Sequence, residues 1–150
     1  MVRHKHRYIV LEISEIGGSP TSPLKIREYS IYKSIQSHIQ TQHGDFGVAA
    51  TRAGFMAKYL NEHTRIAVIR CRRGSYKFVS SVIPLIRKID EKTVVVNILY
   101  VGATIRKSFF FIRNYQQKKL DEYCVSLKTD EERNRLKEAM LNFDSIFSKL

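Results

Sequence analysis

The sequence predicts an α+β domain built on an antiparallel sheet, and three features of its 150 residues support this class. Hydrophobic residues make up 43% of the chain and aromatic residues 11%, which is enough for a packed core and argues against a largely disordered chain. Stretches of alternating apolar and polar residues or of β-branched residues, typical of strands, occur at four places. Stretches with apolar residues three or four positions apart, typical of helices, lie between and after them.

The first strand is predicted at residues 8–13, where isoleucine and leucine occupy every second position. A run rich in glycine, serine and proline at residues 17–23 leads into a helix, because Ser22 can cap a helix and Pro23 suits its first position. This helix repeats isoleucine every four residues. It is predicted to end at Gly44, since glycine readily adopts the left-handed conformation found after helix ends.

Two further strands are predicted at residues 48–60 and 66–72, and residues 61–64 join them as a hairpin turn. A second helix begins at residues 74–75. Pro84 should end the regular part of this helix, because proline has no amide hydrogen to donate.

A fourth strand is predicted at residues 93–101, which are rich in β-branched side chains. Thr104 caps a third helix, and residues 129–132 form a capping box for a short amphipathic helix. The apolar residues expected on one face of that last helix are Leu136, Met140, Phe143 and Phe147. The order of strands and helices is that of a ferredoxin-like sandwich, the fold of RNA-recognition modules. We predict that this domain, including the third helix, spans residues 1–128 and that the short helix occupies residues 129–150.

The charge of the chain points to a polyanionic partner. Lys and Arg number 26 against 14 Asp and Glu, so the formal net charge is +12 and the isoelectric point is near 9.9. Residues 1–128 hold 22 basic and 9 acidic residues, whereas residues 129–150 hold 4 and 5, so the excess belongs to the predicted domain. Such a field favours nucleic acid as the partner, and the alternative is a basic protein that is merely soluble.

Composition and spacing argue against several other function classes. A membrane span needs roughly 18 consecutive apolar residues, and Lys or Arg interrupts every candidate stretch, so no membrane partner is expected. Cys71 and Cys124 are too few for a disulfide framework or a metal cluster. His4 and His6 can share one face of a strand but lack a third ligand. No carboxylate pair has catalytic spacing, so we predict no catalytic residues and no cofactor bound by the protein itself.

The candidate RNA-binding residues are basic side chains at the ends of the predicted elements. Arg106 and Lys107 lie in the first turn of the third helix, where free amides and the helix dipole already favour an anion. Positive side chains at this end destabilise an isolated helix, so their presence is best explained if they bind a phosphate. The full set is Arg3, Lys5, Arg7, Arg70, Arg72, Arg73, Arg106, Lys107 and Arg113. Solvated surface charge is the alternative for any single member.

Stacking of bases on an open sheet is not expected from the sequence. RNA-recognition modules carry aromatic residues on their two central strands. The corresponding residues 66–73 contain none, and only Tyr8 in the first strand offers a ring.

Five short motifs follow one another along the first 106 residues. They are Met1-Val2-Arg3-x-Lys5-x-Arg7-Tyr8, His43-Gly44-Asp45-Phe46-Gly47, Tyr59-Leu60-Asn61, Ile69-Arg70-Cys71-Arg72 and Val101-Gly102-Ala103-Thr104-Ile105-Arg106. In this order and spacing the chain resembles the POP-five protein subunits shared by ribonuclease P and ribonuclease MRP. The resemblance covers about residues 1–120, with Ala103 standing where a glycine is more usual.

The resemblance implies a non-catalytic RNA-binding subunit that pairs with a TIM-barrel-like protein subunit of the same particle. In that particle the RNA, with bound magnesium, cleaves the phosphodiester bond. Ribonuclease P removes the 5′ leader from precursor tRNA, and ribonuclease MRP cuts precursor ribosomal RNA. The resemblance also implies a location in the nucleus, in particular the nucleolus.

A protein partner should contact exposed hydrophobic residues of the third helix, because one helix cannot bury four consecutive apolar residues on one face. The candidates are Phe109, Phe110, Phe111 and Ile112. Coverage by other helices of the same chain is the alternative. Two other functions stay open: a ferredoxin-like adaptor whose basic surface docks an acidic protein without binding RNA directly, and a small RNA-processing enzyme acting alone.

Overall fold

A computed structural model describes residues 3–19, 22–126 and 129–141. The elements are β1 (His6–Glu15), α1 (Glu28–Arg52), β2 (Met56–Asn61), β3 (Ile66–Arg72), α2 (Tyr76–Val82), β4 (Lys88–Ile89), β5 (Lys92–Gly102), α3 (Ile105–Ser126) and α4 (Asp130–Leu141). The chain divides into two compact units, Met1–Ser108 and Phe109–Leu150. The predicted domain boundary after residue 128 adjoins residues outside the described part, and it stays a prediction.

The first unit is built on a five-stranded antiparallel sheet in the order β2-β3-β1-β5-β4. This confirms the predicted α+β class, and the four predicted strands all contribute to the sheet. The short strand β4, which was not predicted, pairs with the start of β5 at the edge. Because β1 lies between β3 and β5, its residues have neighbours on both sides.

The hydrophobic core of the first unit lies on one face of this sheet. Ile9, Leu11 and Ile13 of β1 are fully buried there, as their alternation predicts. The isoleucines of α1 that belong to the same core, spaced one helical turn apart, are Ile31, Ile35 and Ile39. The core therefore joins the central strand to the first helix.

The helix start predicted at Ser22 and Pro23 is wrong, because α1 begins only at Glu28. The chain before α1 is extended and buries two alternating side chains, Leu24 and Ile26, in the core. The amide of Leu24 donates a hydrogen bond of 2.9 Å to the carbonyl of Glu62. Long-range burial of an alternating pair thus outweighs the local signal for a helix start.

Gly44 bends α1 instead of ending it. Its backbone has φ 65° and ψ −160°, and a second helical segment continues beyond it. The strand predicted at residues 48–60 is therefore wrong in its first half, since β2 begins at Met56. Gly47 and Thr51 are both buried one turn apart, and alanine in this segment favours helix over strand.

The remaining helices, strands and turns are of the type that the sequence predicts. The turn between β2 and β3 is held by the Asn61 side chain, whose Oδ1 accepts hydrogen bonds from the amides of His63 and Thr64. α2 ends at Val82, just before Pro84. α4 is helical, whereas the side chains of Leu136 and Met140 and all of Phe143 and Phe147 lie outside the described residues.

Candidate nucleic-acid interface

Two clefts of the first unit flank the start of β1, and basic side chains line both. The first cleft, of about 480 Å³, is lined by His4, Lys5, His6, Arg7, Tyr8, Ala103, Thr104, Ile105 and Arg106. The second, of about 330 Å³, is lined by His4, Lys5, Ala50, Arg72, Arg73, Gly74 and Ser75. No acidic side chain is among these lining residues, so both clefts suit an anionic ligand.

The chain segment that enters β1 links the two clefts. The amide of Arg73 donates a hydrogen bond of 2.9 Å to the carbonyl of Lys5, which ties this segment to the end of β3. Lys5 therefore lies at both clefts, and Arg7 lies at the first. Arg3 is exposed just before them. The predicted cluster at the start of the chain is thus placed beside the basic end of β3.

Strand register brings two arginines of β3 to one face of the sheet. Tyr8 stands opposite Arg70 and His6 opposite Arg72, and directly opposed residues of antiparallel strands share a face. On the same face Val10, further along β1, is fully buried, whereas Tyr8 is only partly buried. The basic end of this face is therefore the accessible end.

The loop before β2 supports these arginines. Gly54 has a left-handed φ of 78°, and its carbonyl accepts a hydrogen bond of 3.4 Å from Arg70 Nε. A Cβ atom at Gly54 would lie only 3.2 Å from Cγ of Arg72 and 3.4 Å from Nε2 of His6. Arg72 Nε itself is buried, with no hydrogen-bond partner among the described residues. A buried guanidinium N–H of this kind calls for an acceptor.

Burial shifts the pKa values of two titratable groups of this region, His6 and Cys71, in opposite directions. Partial burial, followed by the charges of Arg70, Arg72, His4 and Lys58, lowers the pKa of His6 below its ordinary value of 6.5. His6 is therefore mostly neutral at neutral pH.

Cys71, opposite Arg7 on the core face, is buried. Burial raises the pKa of its thiol to about 11, and the opposing effect of Arg7 is smaller. The thiol therefore stays protonated at neutral pH, which does not suit a nucleophile.

The start of α3 forms the far wall of the first cleft. Thr104 caps the helix as predicted, since its Oγ1 accepts a hydrogen bond of 3.4 Å from the amide of Lys107. Arg106 and Lys107 are both exposed in this first turn, and Arg106 lines the cleft. These two predicted residues are therefore accessible to an anion at the helix start.

Gly102, just before α3, is closely packed and does not line the first cleft. A Cβ atom here would lie 2.8 Å from Oγ of Ser108 and 2.9 Å from Cε1 of Tyr100. The small residue is thus required by packing of the chain against itself, and Ala103 and Thr104 line the cleft instead.

The other predicted site residues are not all brought together. Arg113 is exposed on α3 but belongs to the second unit. Of the predicted protein-contact residues, Phe110 is 64% exposed, whereas Phe109 and Ile112 are buried. Phe111 is partly buried and its ring stacks on Tyr115 with 6.0 Å between centroids. Only part of that predicted patch is therefore accessible.

Sequence reasoning did not assign the residues that complete the clefts. His4, His6 and Tyr8 line the first cleft although none was among the predicted RNA-binding residues. The available signal was the alternation of His4 and His6 with Arg3, Lys5 and Arg7, followed directly by Tyr8. Within the described ranges, no three His, Cys, Asp or Glu side chains are grouped to hold a metal ion. Nor does any helix there have the length and apolar character needed to cross a membrane.

Comparison with known proteins agrees with this architecture. The model of the Rpp14/Pop5 family matches residues 7–113. The ribonuclease P/MRP protein subunit POP5 of Danio rerio is 32% identical over 148 residues, which cover 95% of this chain and 86% of that protein. The subunit of the same name from Homo sapiens is 35% identical over 124 residues, or 80% of this chain and 75% of that protein.

The fold is also similar to that of a protein in a solved particle. A chain of the cryo-EM structure of yeast ribonuclease MRP matches with a TM-score of 0.51 and 18% identity. The match covers 100% of this chain and 99% of that chain. At this identity the likeness concerns the fold alone.

Proposed function

Because the chain belongs to the Rpp14/Pop5 family, we propose that it is a non-catalytic RNA-binding subunit of ribonuclease P and ribonuclease MRP. In this role it supports a catalytic RNA that removes 5′ leaders from precursor tRNA and processes precursor ribosomal RNA. The observation that carries the proposal is the pair of adjoining clefts lined by basic and no acidic side chains. The nucleus, and the nucleolus in particular, is the proposed location.

The proposed mechanism is neutralisation of the RNA backbone. Lys5, Arg7 and Arg106 bind phosphates in the first cleft, and Arg72 and Arg73 bind phosphates in the second. Lys107, exposed next to Arg106 in the first turn of α3, binds a phosphate beside the first cleft. Lysine and arginine that neutralise phosphates release condensed counterions, so affinity depends steeply on salt. The magnesium ions that the cleavage reaction needs are proposed to lie on the RNA. The protein then contributes charge and position and no bond-breaking group.

Two finer features belong to the same proposal. The strand order β2-β3-β1-β5, with α1 and α2 as the crossovers, supports a ferredoxin-like sandwich for the first unit. A TIM-barrel-like subunit is the proposed protein partner, and the exposed ring of Phe110 supports a contact on α3. Precursor tRNA meets the chain within the assembled particle.

The salt dependence of RNA binding tests the proposal. The full chain is titrated against ribonuclease P RNA over a salt series, with and without its barrel-shaped partner, and binding is followed by fluorescence anisotropy. If about five phosphates are neutralised, the slope of log affinity against log salt should be roughly −3.5 to −4.5. Absence of RNA binding at low ionic strength in both arms would refute the proposed function.

An adaptor that binds an acidic protein through the same cations is the competing function. Exhaustive ribonuclease treatment of the complex that co-purifies with this chain distinguishes RNA binding from the adaptor function. RNA-dependent assembly predicts that the composition changes after treatment. Unchanged composition, together with a flat salt response towards RNA, would favour the adaptor.

A further inference from the structure

We infer that the first cleft binds an unpaired nucleobase of RNA, which stacks on the ring of Tyr8. This inference rests on the proposed function, which concerns phosphates alone, and adds a contact to a base. Tyr8 is a partly exposed aromatic residue that lines the cleft together with basic side chains. An aromatic face within a basic groove is the usual arrangement for binding single-stranded nucleic acid.

Strand register places Tyr8 at the centre of the accessible end of the sheet face. Its neighbour across β3 is Arg70, and its neighbour across β5 is Gly102. Gly102 has no side chain, and Oγ of Ser108 and the ring of Tyr100 occupy that space, at 2.8 Å and 2.9 Å from the position of a Cβ atom. Tyr8 therefore has room beside it on the cleft side, whereas the β5 side is filled.

The Tyr8 ring itself is the stacking surface for a flat ligand in this cleft. Aromatic rings are among the groups on which proteins stack unpaired RNA bases. Arg70, opposite Tyr8 on β3, does not line the cleft, and its Nε donates to the carbonyl of Gly54 before β2.

The charges around the ring select a nucleotide over other flat ligands. Lys5, Arg7 and Arg106 line the same cleft and can hold the phosphates on either side of the base. The volume of about 480 Å³ lies within the range of small-ligand pockets. An acidic peptide would satisfy these cations but would leave the Tyr8 ring without a matching partner. A base inside an A-form duplex is already stacked and cannot reach the ring.

Removing the ring tests the inference. Tyr8→Leu is compared with Tyr29→Leu, a change of the same type at a 69% exposed tyrosine on α1 that lines neither cleft. The probes are a single-stranded RNA of about 10 nucleotides and a blunt A-form RNA duplex with the same number of phosphates. Tyr8→Leu should weaken binding of the single strand by roughly 5- to 150-fold, with little change for the duplex. Tyr29→Leu should change neither.

A second variant keeps the test independent of folding defects. The chain contains no Trp, so Tyr8→Trp introduces a single reporter that retains an aromatic face. Its fluorescence should be quenched on addition of the single strand and not of the duplex. Tyr29→Trp serves as the control and should respond to neither.

The outcomes separate this inference from the proposed function. Equal binding of the single strand by Tyr8→Leu and Tyr29→Leu, or equal response of the Tyr8→Trp reporter to both probes, would overturn stacking. In either case, if the affinity for RNA still depended steeply on salt, the proposed binding of phosphates would stand. If the wild-type chain binds neither probe at low salt, both proposals fail.

Discussion

At the scale of single residues, position relative to the clefts matters more than charge. Lys25 and Arg27 are exposed, as are Arg106 and Lys107, but neither of the first two lies at a cleft, whereas Arg106 lines the first cleft and Lys107 follows it in the same helical turn. The slope of a salt titration counts phosphates that are contacted, not the net charge of the protein. Removing the charges of Lys25 and Arg27 should therefore change the salt dependence of RNA binding less than removing those of Arg106 and Lys107.

The double variant Arg106→Ala/Lys107→Ala should flatten the slope by about two units, because each phosphate contact contributes about one. Anisotropy titrations with ribonuclease P RNA over a salt series measure this change. Lys25→Ala/Arg27→Ala removes the same charge and should leave the slope close to that of the wild type. Equal slopes for both variants would remove the start of α3 from the interface.

His6 makes the stability of the protein depend on pH in a defined direction. Its folded-state pKa is lowered by burial and by neighbouring cations, so protonation favours the unfolded chain. Its contribution to stability is complete above pH 6.5, the ordinary value, and is lost as the pH falls through the lowered pKa.

His6→Gln should therefore lose less free energy of unfolding than the wild type between about pH 7.5 and about pH 5. Urea unfolding at the two pH values measures the difference. His63→Gln, at an exposed turn residue, controls for the loss of a histidine as such. A loss for His6→Gln as large as that of the wild type would show that these cations do not disfavour protonation of His6.

At the scale of elements, the bend in α1 depends on two glycines with different roles. Gly44 supplies a positive φ, which side chains rarely adopt. Gly47 permits close packing, since a Cβ atom there would lie 2.4 Å from Cβ of His43 and 3.1 Å from Cγ2 of Ile39. His43 in turn contacts Phe78 of α2 with 4.9 Å between ring centroids. The two glycines thus allow the second segment of α1 to pack beside α2.

Gly47→Ala should destabilise the protein by about 1 to 3 kcal/mol, because the added methyl group overpacks this bend. The free energy of unfolding in urea measures the effect. Gly74→Ala is the matched control, since no heavy atom lies within 4 Å of its Cβ position. If both variants are equally stable, close packing at the bend does not contribute to stability.

At the scale of the whole molecule, the basic excess and both clefts coincide in one part of the chain. The clefts belong entirely to the unit Met1–Ser108. Residues 1–108 hold 18 basic and 7 acidic residues, whereas residues 109–150 hold 8 and 7. The long-range field that attracts RNA and the local contacts that bind it are thus supplied by the same unit.

The features that depend on local sequence pattern were predictable. These are the α+β class, the buried face of β1, the end of α2 before Pro84 and the cap at Thr104. They are predictable because the spacing of buried residues, the effect of proline and helix capping each depend on residues only a few positions apart. The same reasoning failed at residues 22–28, where burial of Leu24 and Ile26 in the core outweighs the local signal for a helix start. It also failed at residues 44–55, where α1 bends at Gly44 and continues through a segment whose alanines favour helix.

Which of the basic residues lie close together depends on the fold of the whole unit. The segment before β1, the end of β3 and the start of α3 are far apart in sequence, and sheet pairing brings them around the same clefts. The place of Tyr8 between Arg70 and Gly102 follows from strand register in the same way. Register is set by the burial of whole strands against one core, so no short stretch of sequence contains it.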